Sequence, residues 1–143
     1  MKNLVRIMSC VLIVVSSLLV LSSCACPNEN PAVVKAKLTA KGYEVKNFDF
    51  SPLVFEGKTD AAIIAVKYGD ERDMVSAEDK IIIYYFKTKE YADEGERSLI
   101  EEEKENSEFK QRYEQAGKKY DIIIGRKGNI VWTGTKQAVK DAS

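Results

Sequence analysis

The side chains of this sequence that could do chemistry are cysteines, carboxylates and lysines, because its 143 residues include no histidine. Without histidine the chain lacks the commonest general base near neutral pH. This excludes Ser-His-Asp and Cys-His nucleophilic sites and the H-E-x-x-H zinc site. Three kinds of chemistry stay open: acid–base catalysis by paired carboxylates, catalysis by a lysine, and binding of a hard cation by oxygen ligands. No motif in the sequence specifies any of them.

Two of the three cysteines, Cys24 and Cys26, lie close together where an apolar run meets polar sequence. One interpretation of the C-A-C spacing is a redox or metal-binding pair. The chain after Cys26 contains no further cysteine and no histidine, so the pair could complete a four-ligand zinc site only with carboxylates. The position of the two thiols at the end of the apolar run is the better guide to their role.

The first 23 residues have the layout of a secretory signal peptide. Lys2 and Arg6 supply positive charge, residues 7–20 form an apolar core of 14 residues, and small residues follow. A core of this length is shorter than the ~20 residues that a helix needs to cross a bilayer, so the pattern favours a removed signal. Extending the run to residues 4–21 includes Arg6, which could lie near an interface, and an uncleaved anchor is therefore the alternative. In both cases the rest of the chain is exported.

The tetrad Leu21-Ser22-Ser23-Cys24 resembles the lipobox of bacterial lipoproteins, in which an aliphatic residue and two small residues precede a cysteine. The resemblance covers the signal segment and this tetrad, about a sixth of the chain. It implies that the thiol of Cys24 takes a diacylglyceryl group and that Cys24 becomes the first mature residue. Two or more acyl chains, such as palmitate, would give stable anchoring, since one chain binds a membrane only reversibly.

The same residues allow another outcome. Ser23 and Ala25 are small residues at alternate positions, so ordinary signal cleavage after Ala25 would release a soluble protein that begins at Cys26. If Cys24 is lipidated instead, Cys26 is an odd thiol in an exported protein. It would then either pair with another molecule or stay near the membrane surface as a small residue.

Removal of residues 1–23 leaves 120 residues, the size of one domain. These residues carry 20 lysines and arginines against 22 acidic residues, a net charge of −2. A mixed, nearly neutral composition argues against a nucleic-acid partner, which would require a basic face. The apolar content is that of a folded domain rather than a disordered chain, and the few cysteines exclude a disulfide scaffold.

Apolar periodicity predicts a single α+β domain with the order α-β-β-β-α-β-β-α. We expect an antiparallel or mixed sheet of about five strands with helices packed on it. The predicted helices are residues 31–41, a segment from 89 to 116 that is one helix or two joined near Asn106-Ser107, and a short helix after Thr135. The predicted strands are 43–50 with a bulge at Asn47, 61–68, 80–87, 119–125 and 129–133, the last two joined by a turn at Arg126-Lys127-Gly128.

Within this pattern, residues 81–86 read Ile-Ile-Ile-Tyr-Tyr-Phe, a run that should be covered on both faces. We expect this strand at the centre of the sheet. One stripe of the following helix should pack against the sheet, and it runs through Ala92, Gly95 and Leu99.

Two groups of residues are candidates for a site. The acidic run at 101–105 is dense, but consecutive glutamates on a helix point outward around its axis, which favours a solvated helix face over a calcium site. The rings of Tyr84, Tyr85, Tyr120 and Trp132 could line an apolar ligand face if one side of the sheet were left open. Aromatic residues in strands are more often part of the core.

We therefore predict a signal peptide at 1–23, a lipidated tether at 24–30 and a globular α+β domain at 31–143. The expected function is binding of an envelope protein or a small ligand at the bacterial cell membrane or outer membrane, with attachment through the lipid on Cys24. No catalytic residue, metal ligand or cofactor is predicted. The alternative is a small envelope enzyme that uses carboxylate or lysine chemistry, which would need a pocket with convergent ionisable groups.

Overall fold

The computed structural model describes residues 25–48, 55–69, 77–115, 117 and 119–143. The predicted signal peptide, the tetrad that ends at Cys24, residues 49–50 of the first predicted strand and Ala116 lie outside the described residues.

Within the described ranges the chain forms four helices and five strands. The helices are α1 (Pro31–Ala40), α2 (Lys89–Glu105), α3 (Ser107–Gln115) and α4 (Lys136–Ala142). The strands are β1 (Glu44–Asn47), β2 (Thr59–Lys67), β3 (Asp79–Phe86), β4 (Ile122–Lys127) and β5 (Ile130–Thr135). This is the predicted α+β order, with the long helical segment divided in two at Asn106.

The strands form one antiparallel sheet in the order β1-β2-β3-β5-β4. The predicted central position of β3 is confirmed. Its Ile83 pairs with Ile63 of β2 on one side and with Trp132 of β5 on the other. After β3, helices α2 and α3 lead the chain past the position of β5 to the edge strand β4, and a hairpin brings it back to β5.

Side chains of β3 alternate between two hydrophobic clusters, one on each side of the sheet. Ile83 and Tyr85 lie on the side covered by α1 and α4, here called the α1/α4 face. Tyr84 and Phe86 lie on the opposite side, which α2 covers and which we call the α2 face. The domain therefore has three layers, with β3 buried between the two helical layers.

Helix α1 begins and ends where local chemistry predicts. The Asn30 side chain accepts a hydrogen bond from the N–H of Ala32 at 2.9 Å, and Pro31 occupies the first helical position. Gly42 follows the helix with φ +86°, a conformation that favours glycine. Val34 and Leu38 are buried against the sheet, whereas Val33 is exposed.

Helix α2 approaches the sheet closely because it carries Gly95 in its buried stripe. Thr88 caps the helix by accepting a hydrogen bond from the N–H of Tyr91 at 3.2 Å. A Cβ on Gly95 would lie 2.3 Å from the ring of Phe86 on β3. The glycine thus allows this ring to pack directly under the helix backbone.

The predicted turn at Arg126-Lys127-Gly128 is displaced by the structure. Arg126 and Lys127 belong to β4, where they pair with Val131 and Ile130, and the turn consists of Gly128 and Asn129. The guanidinium of Arg126 is 2.8 Å from Glu96 and 3.3 Å from Asp93. Pairing with β5 thus continues through both basic residues, and acidic side chains on the covering helix α2 bind Arg126.

The predicted bulge at Asn47 is also corrected. Val45 packs on the α1/α4 face, and Phe48, three residues later, packs on the α2 face. In a regular strand, residues three positions apart point to opposite sides of the sheet. Both sides are covered here, so both residues can be apolar without a bulge. A register irregularity lies instead between Thr59 and Ala61 of β2.

We expect Gly95→Ala to lower the free energy of unfolding by about 1–3 kcal/mol, because the new methyl group overlaps the Phe86 ring. This loss should outweigh the gain in helix propensity of about 1 kcal/mol. Urea denaturation measures the change, with Glu101→Ala at an exposed position of the same helix as control, expected within about 0.5 kcal/mol of the parent protein. A Gly95→Ala variant more stable than the parent would contradict the close contact.

Candidate functional site

A cavity of about 270 Å³ lies between the C-terminal part of α2 and the α2 face of the sheet. Helix α2 contacts β3, β4 and β5. The cavity opens beside the C-terminal end of this helix, where the helix does not cover β2 and the start of β3. Its wall there includes Ile64 and Ile82. For comparison, an apolar cavity of about 150 Å³ is large enough to hold benzene.

The floor of the cavity is apolar because alternate residues of neighbouring strands point to the same side. Ile82 and Tyr84 of β3 and Ile122 of β4 contribute from the sheet, and Leu99 contributes from the buried stripe of α2. Phe48, just after β1, lines the same space. This arrangement can bind an apolar group of a small molecule through burial alone.

Aromatic neighbours fix the ring of Tyr84 in the cavity wall. The rings of Phe55 and Tyr84 have centroids 5.1 Å apart with their planes at 76°, and Phe48 and Tyr84 have centroids 6.2 Å apart at 68°. Both are edge-to-face contacts, which orient rings more strictly than general burial does.

The hydroxyl of Tyr84 is a polar group of the floor, together with that of Thr133. Burial raises the pKa of Tyr84 to about 12, and the nearby carboxylate of Glu102 adds to the increase. The hydroxyl is therefore neutral at physiological pH and can donate a hydrogen bond. Among the described residues it has no hydrogen-bond partner, and it lines the cavity.

The mouth of the cavity is polar and is formed in part by the C-terminal turns of α2. Glu102 and Asn106 are exposed, Glu103 and Lys80 are half-buried, and the Tyr120 hydroxyl donates a hydrogen bond to the Glu103 carboxylate. The carbonyl end of a helix has negative partial charge, and two carboxylates outnumber the one lysine here. The mouth therefore favours a ligand end that is cationic or donates hydrogen bonds.

The structure divides the four predicted aromatic residues between the two sides of the sheet. Tyr84 and Tyr120 line the cavity on the α2 face. Tyr85 and Trp132 belong to the cluster on the opposite face and are 7% and 6% exposed. The four rings do not form one continuous face.

Trp132 packs against the edge strand. A Cβ on Gly125, its partner in β4, would lie 2.6 Å from the indole ring, so glycine is required beside this ring. The indole Nε1 is buried and has no hydrogen-bond partner among the described atoms.

A second cavity of about 430 Å³ lies near the tip of the β4–β5 hairpin. Tyr85 and Ile130 contribute apolar surface, and Glu29, Asp60 and Lys127 contribute charged groups. Its charged lining makes it less suited than the first cavity to bury an apolar ligand group.

The two carboxylates at the mouth of the cavity continue the helical stripe of α2 that packs on the sheet. The buried stripe of α2 runs through Ala92, Gly95 and Leu99, and the next positions on that side are Glu102 and Glu103. The predicted solvated face is confirmed for Glu101, Glu102 and Glu105, which are exposed, whereas Glu103 is half-buried. The helical period, continued past Leu99, places Glu102 and Glu103 on the side of α2 that lines the cavity.

The structure also bears on metal and membrane sites. Over the described ranges, no three His, Cys, Asp or Glu side chains are grouped so that they could hold a metal ion. No helix in that part of the chain combines the length and the apolar character needed to cross a bilayer.

Comparison of the chain with protein-family models, with curated proteins and with solved structures finds no match. The assignment of a function therefore depends on the residues of this chain.

We expect the protein to lose stability as the pH rises from 10 to 12. Burial raises the pKa of Tyr84 and of Tyr85 to about 12 from an ordinary value of 10.0, so the folded state holds protons that the unfolded state releases in this range. Tyr84→Phe should remove about 2 kcal/mol of this alkaline loss. Urea denaturation at a series of pH values measures it.

Tyr91→Phe, at an exposed ring of α2, controls for the loss of a tyrosine hydroxyl. An alkaline loss of equal size in the parent protein and in Tyr84→Phe would contradict the buried position of the Tyr84 hydroxyl.

Proposed function

We propose that this chain is a lipid-anchored binding protein of the bacterial cell envelope, which holds a small amphipathic ligand in the cavity beside α2. The tetrad that ends at Cys24 supports the anchor, since it closes a signal-like apolar run. The observation that carries the binding role is the cavity itself, which has an apolar floor, a neutral tyrosine hydroxyl and a polar mouth.

The chemistry of the cavity defines the class of ligand. Ile82, Leu99 and Ile122 accept a ring or a short alkyl group, and the Tyr84 hydroxyl can donate to an acceptor on it. The carboxylates of Glu102 and Glu103 favour a cationic or hydrogen-bond-donating end at the mouth. A small aromatic or alkyl amine has this distribution of groups.

An NMR titration tests the binding role with two probes that share a ring and differ in charge. We expect phenethylamine to bind with a Kd of about 1 mM or lower and to shift the amide signals of Ile82, Leu99 and Tyr120. Phenylacetate should bind more weakly because its carboxylate meets the two glutamates. The double variant Glu102→Gln/Glu103→Gln should remove the difference between the probes.

Two matched substitutions control for the location of the probe. Ile122→Phe places a larger side chain in the cavity and should abolish the phenethylamine shifts. Ile100→Phe is the same replacement at an exposed position of α2, outside the cavity, and should leave the shifts unchanged. Equal shifts in both variants would contradict binding in the cavity.

The anchor has a separate test in a bacterial host. Cys24→Ala should move the protein out of the membrane fraction and prevent incorporation of labelled palmitate, because the acceptor thiol is lost. Cys26→Ser is the control and should keep both properties. Membrane retention and labelling that depend on Cys26 instead would contradict lipidation at Cys24.

The alternative function, a small envelope enzyme, would use the same cavity. Glu102, Glu103 and Lys80 supply the carboxylates and the lysine that such chemistry requires. An enzyme differs from a binding protein because it would convert the bound compound. Glu103→Gln would then stop the conversion without preventing binding.

A further inference from the structure

The segment predicted as a tether is packed onto the domain. Cys26 contacts the hydrophobic cluster of the α1/α4 face, and Pro27 is less than 2% exposed. The N–H of Asn28 donates to the carbonyl of Ala142 at 3.4 Å, and the Tyr85 hydroxyl donates to the carbonyl of Asn28 at 3.2 Å. The domain therefore begins at about residue 26, and little free chain separates it from Cys24.

The short distance to Cys24 limits how the domain can sit on a membrane. Two residues span at most about 7 Å between Cα atoms, so an acyl group on Cys24 lies close to the packed position of Cys26. Cys26 lies on the α1/α4 face. An anchor at this point keeps the side of the domain that carries α1 and α4 near the bilayer and limits rotation of the domain.

Charge is distributed unequally between the two helical layers. Residues 31–41 and 136–143, which contain α1 and α4, carry five lysines and one aspartate. Residues 89–115, which contain α2 and α3, carry ten acidic and five basic residues. The layer next to the anchor thus has a net charge of +4, and the opposite layer has −5. An anionic membrane attracts the first and repels the second.

The lysines of the α1/α4 layer are available at its surface. Four of them have exposed side chains: Lys37, Lys41, Lys136 and Lys140. Lys41 is 62% exposed and lies 3.9 Å from Asp141, a surface pair whose attraction is weak. Lys37 donates to the carbonyl of Ser143 at 2.5 Å. Lipid phosphates can compete with such contacts.

We propose that the surface formed by α1 and α4 lies against anionic phospholipid head groups, which its exposed lysines contact, while the α2 face and its cavity point away from the membrane. This inference rests on the proposed lipidation at Cys24. It gives the anchored protein a fixed orientation, in which the mouth of the cavity is open to the aqueous side.

Lysine acetylation on vesicles, read by mass spectrometry, tests the orientation and contains its own control. Protein purified from bacterial membranes is reconstituted in phosphatidylcholine vesicles with or without phosphatidylglycerol. We expect the anionic lipid to slow acetylation of Lys37, Lys41, Lys136 and Lys140 by about threefold or more, and high salt to reverse this. Acetylation of Lys89, Lys104 and Lys110, on the opposite layer, should not change.

A pair of double variants separates a specific surface from net charge. Lys136→Gln/Lys140→Gln should reduce the protection of Lys37 and Lys41, and Lys89→Gln/Lys104→Gln, with the same loss of charge, should not. Uniform acetylation of both layers, or protection of the α2 layer, would overturn the orientation. So would protection that is independent of lipid charge and rises with protein concentration, which would identify a second copy as the partner.

The intact mass of the same preparation separates this inference from the proposed anchor. An acylated protein with uniform lysine reactivity overturns the orientation and leaves the anchor standing. A protein without acyl groups overturns both.

Discussion

The central strand β3 presents large apolar side chains to both sides of the sheet, and both sides must be removed from water. Burial of each such side chain contributes about 1.5–3 kcal/mol, so leaving either side open would cost much of the stability of a domain of this size. The need for two covering layers explains the positions of the helices. α1 and α4 cover Ile83 and Tyr85, and α2 covers Tyr84 and Phe86.

The candidate site is a consequence of how this requirement is met. Gly95 brings α2 close to the sheet over Phe86, and the helix continues to Glu105 beyond the region that it covers tightly. The space that remains under its C-terminal turns has the apolar side chains of the sheet as its floor and the carboxylates of the helix at its mouth. The apolar floor therefore comes mainly from the sheet, and the charged mouth comes from the C-terminal turns of α2.

Much of the fold could be predicted from local patterns, because local chemistry determines it. The caps at Asn30 and Thr88 and the unbroken run of β3 specified two helix starts and the central strand. The turn at Gly128 and the change of face between Val45 and Phe48 could not be located in this way. Both depend on contacts between distant segments, such as Arg126 with Glu96 on α2. The cavity could not be predicted for the same reason, since its walls come from six separate segments of the chain.

Cys26, two residues from the proposed anchor, and the proposed binding cavity lie on opposite sides of the sheet. Packing of Cys26 on the α1/α4 face leaves only a short link to Cys24, which favours a separation in space of the proposed anchor and the proposed cavity. The most direct test of lipidation at Cys24 is the intact mass of the protein purified from bacterial membranes, with and without an inhibitor of the lipoprotein signal peptidase. We expect a chain that begins at Cys24, heavier by two or three acyl groups, and an uncleaved precursor with the inhibitor. An unmodified chain that begins at Cys26 would contradict lipidation at Cys24.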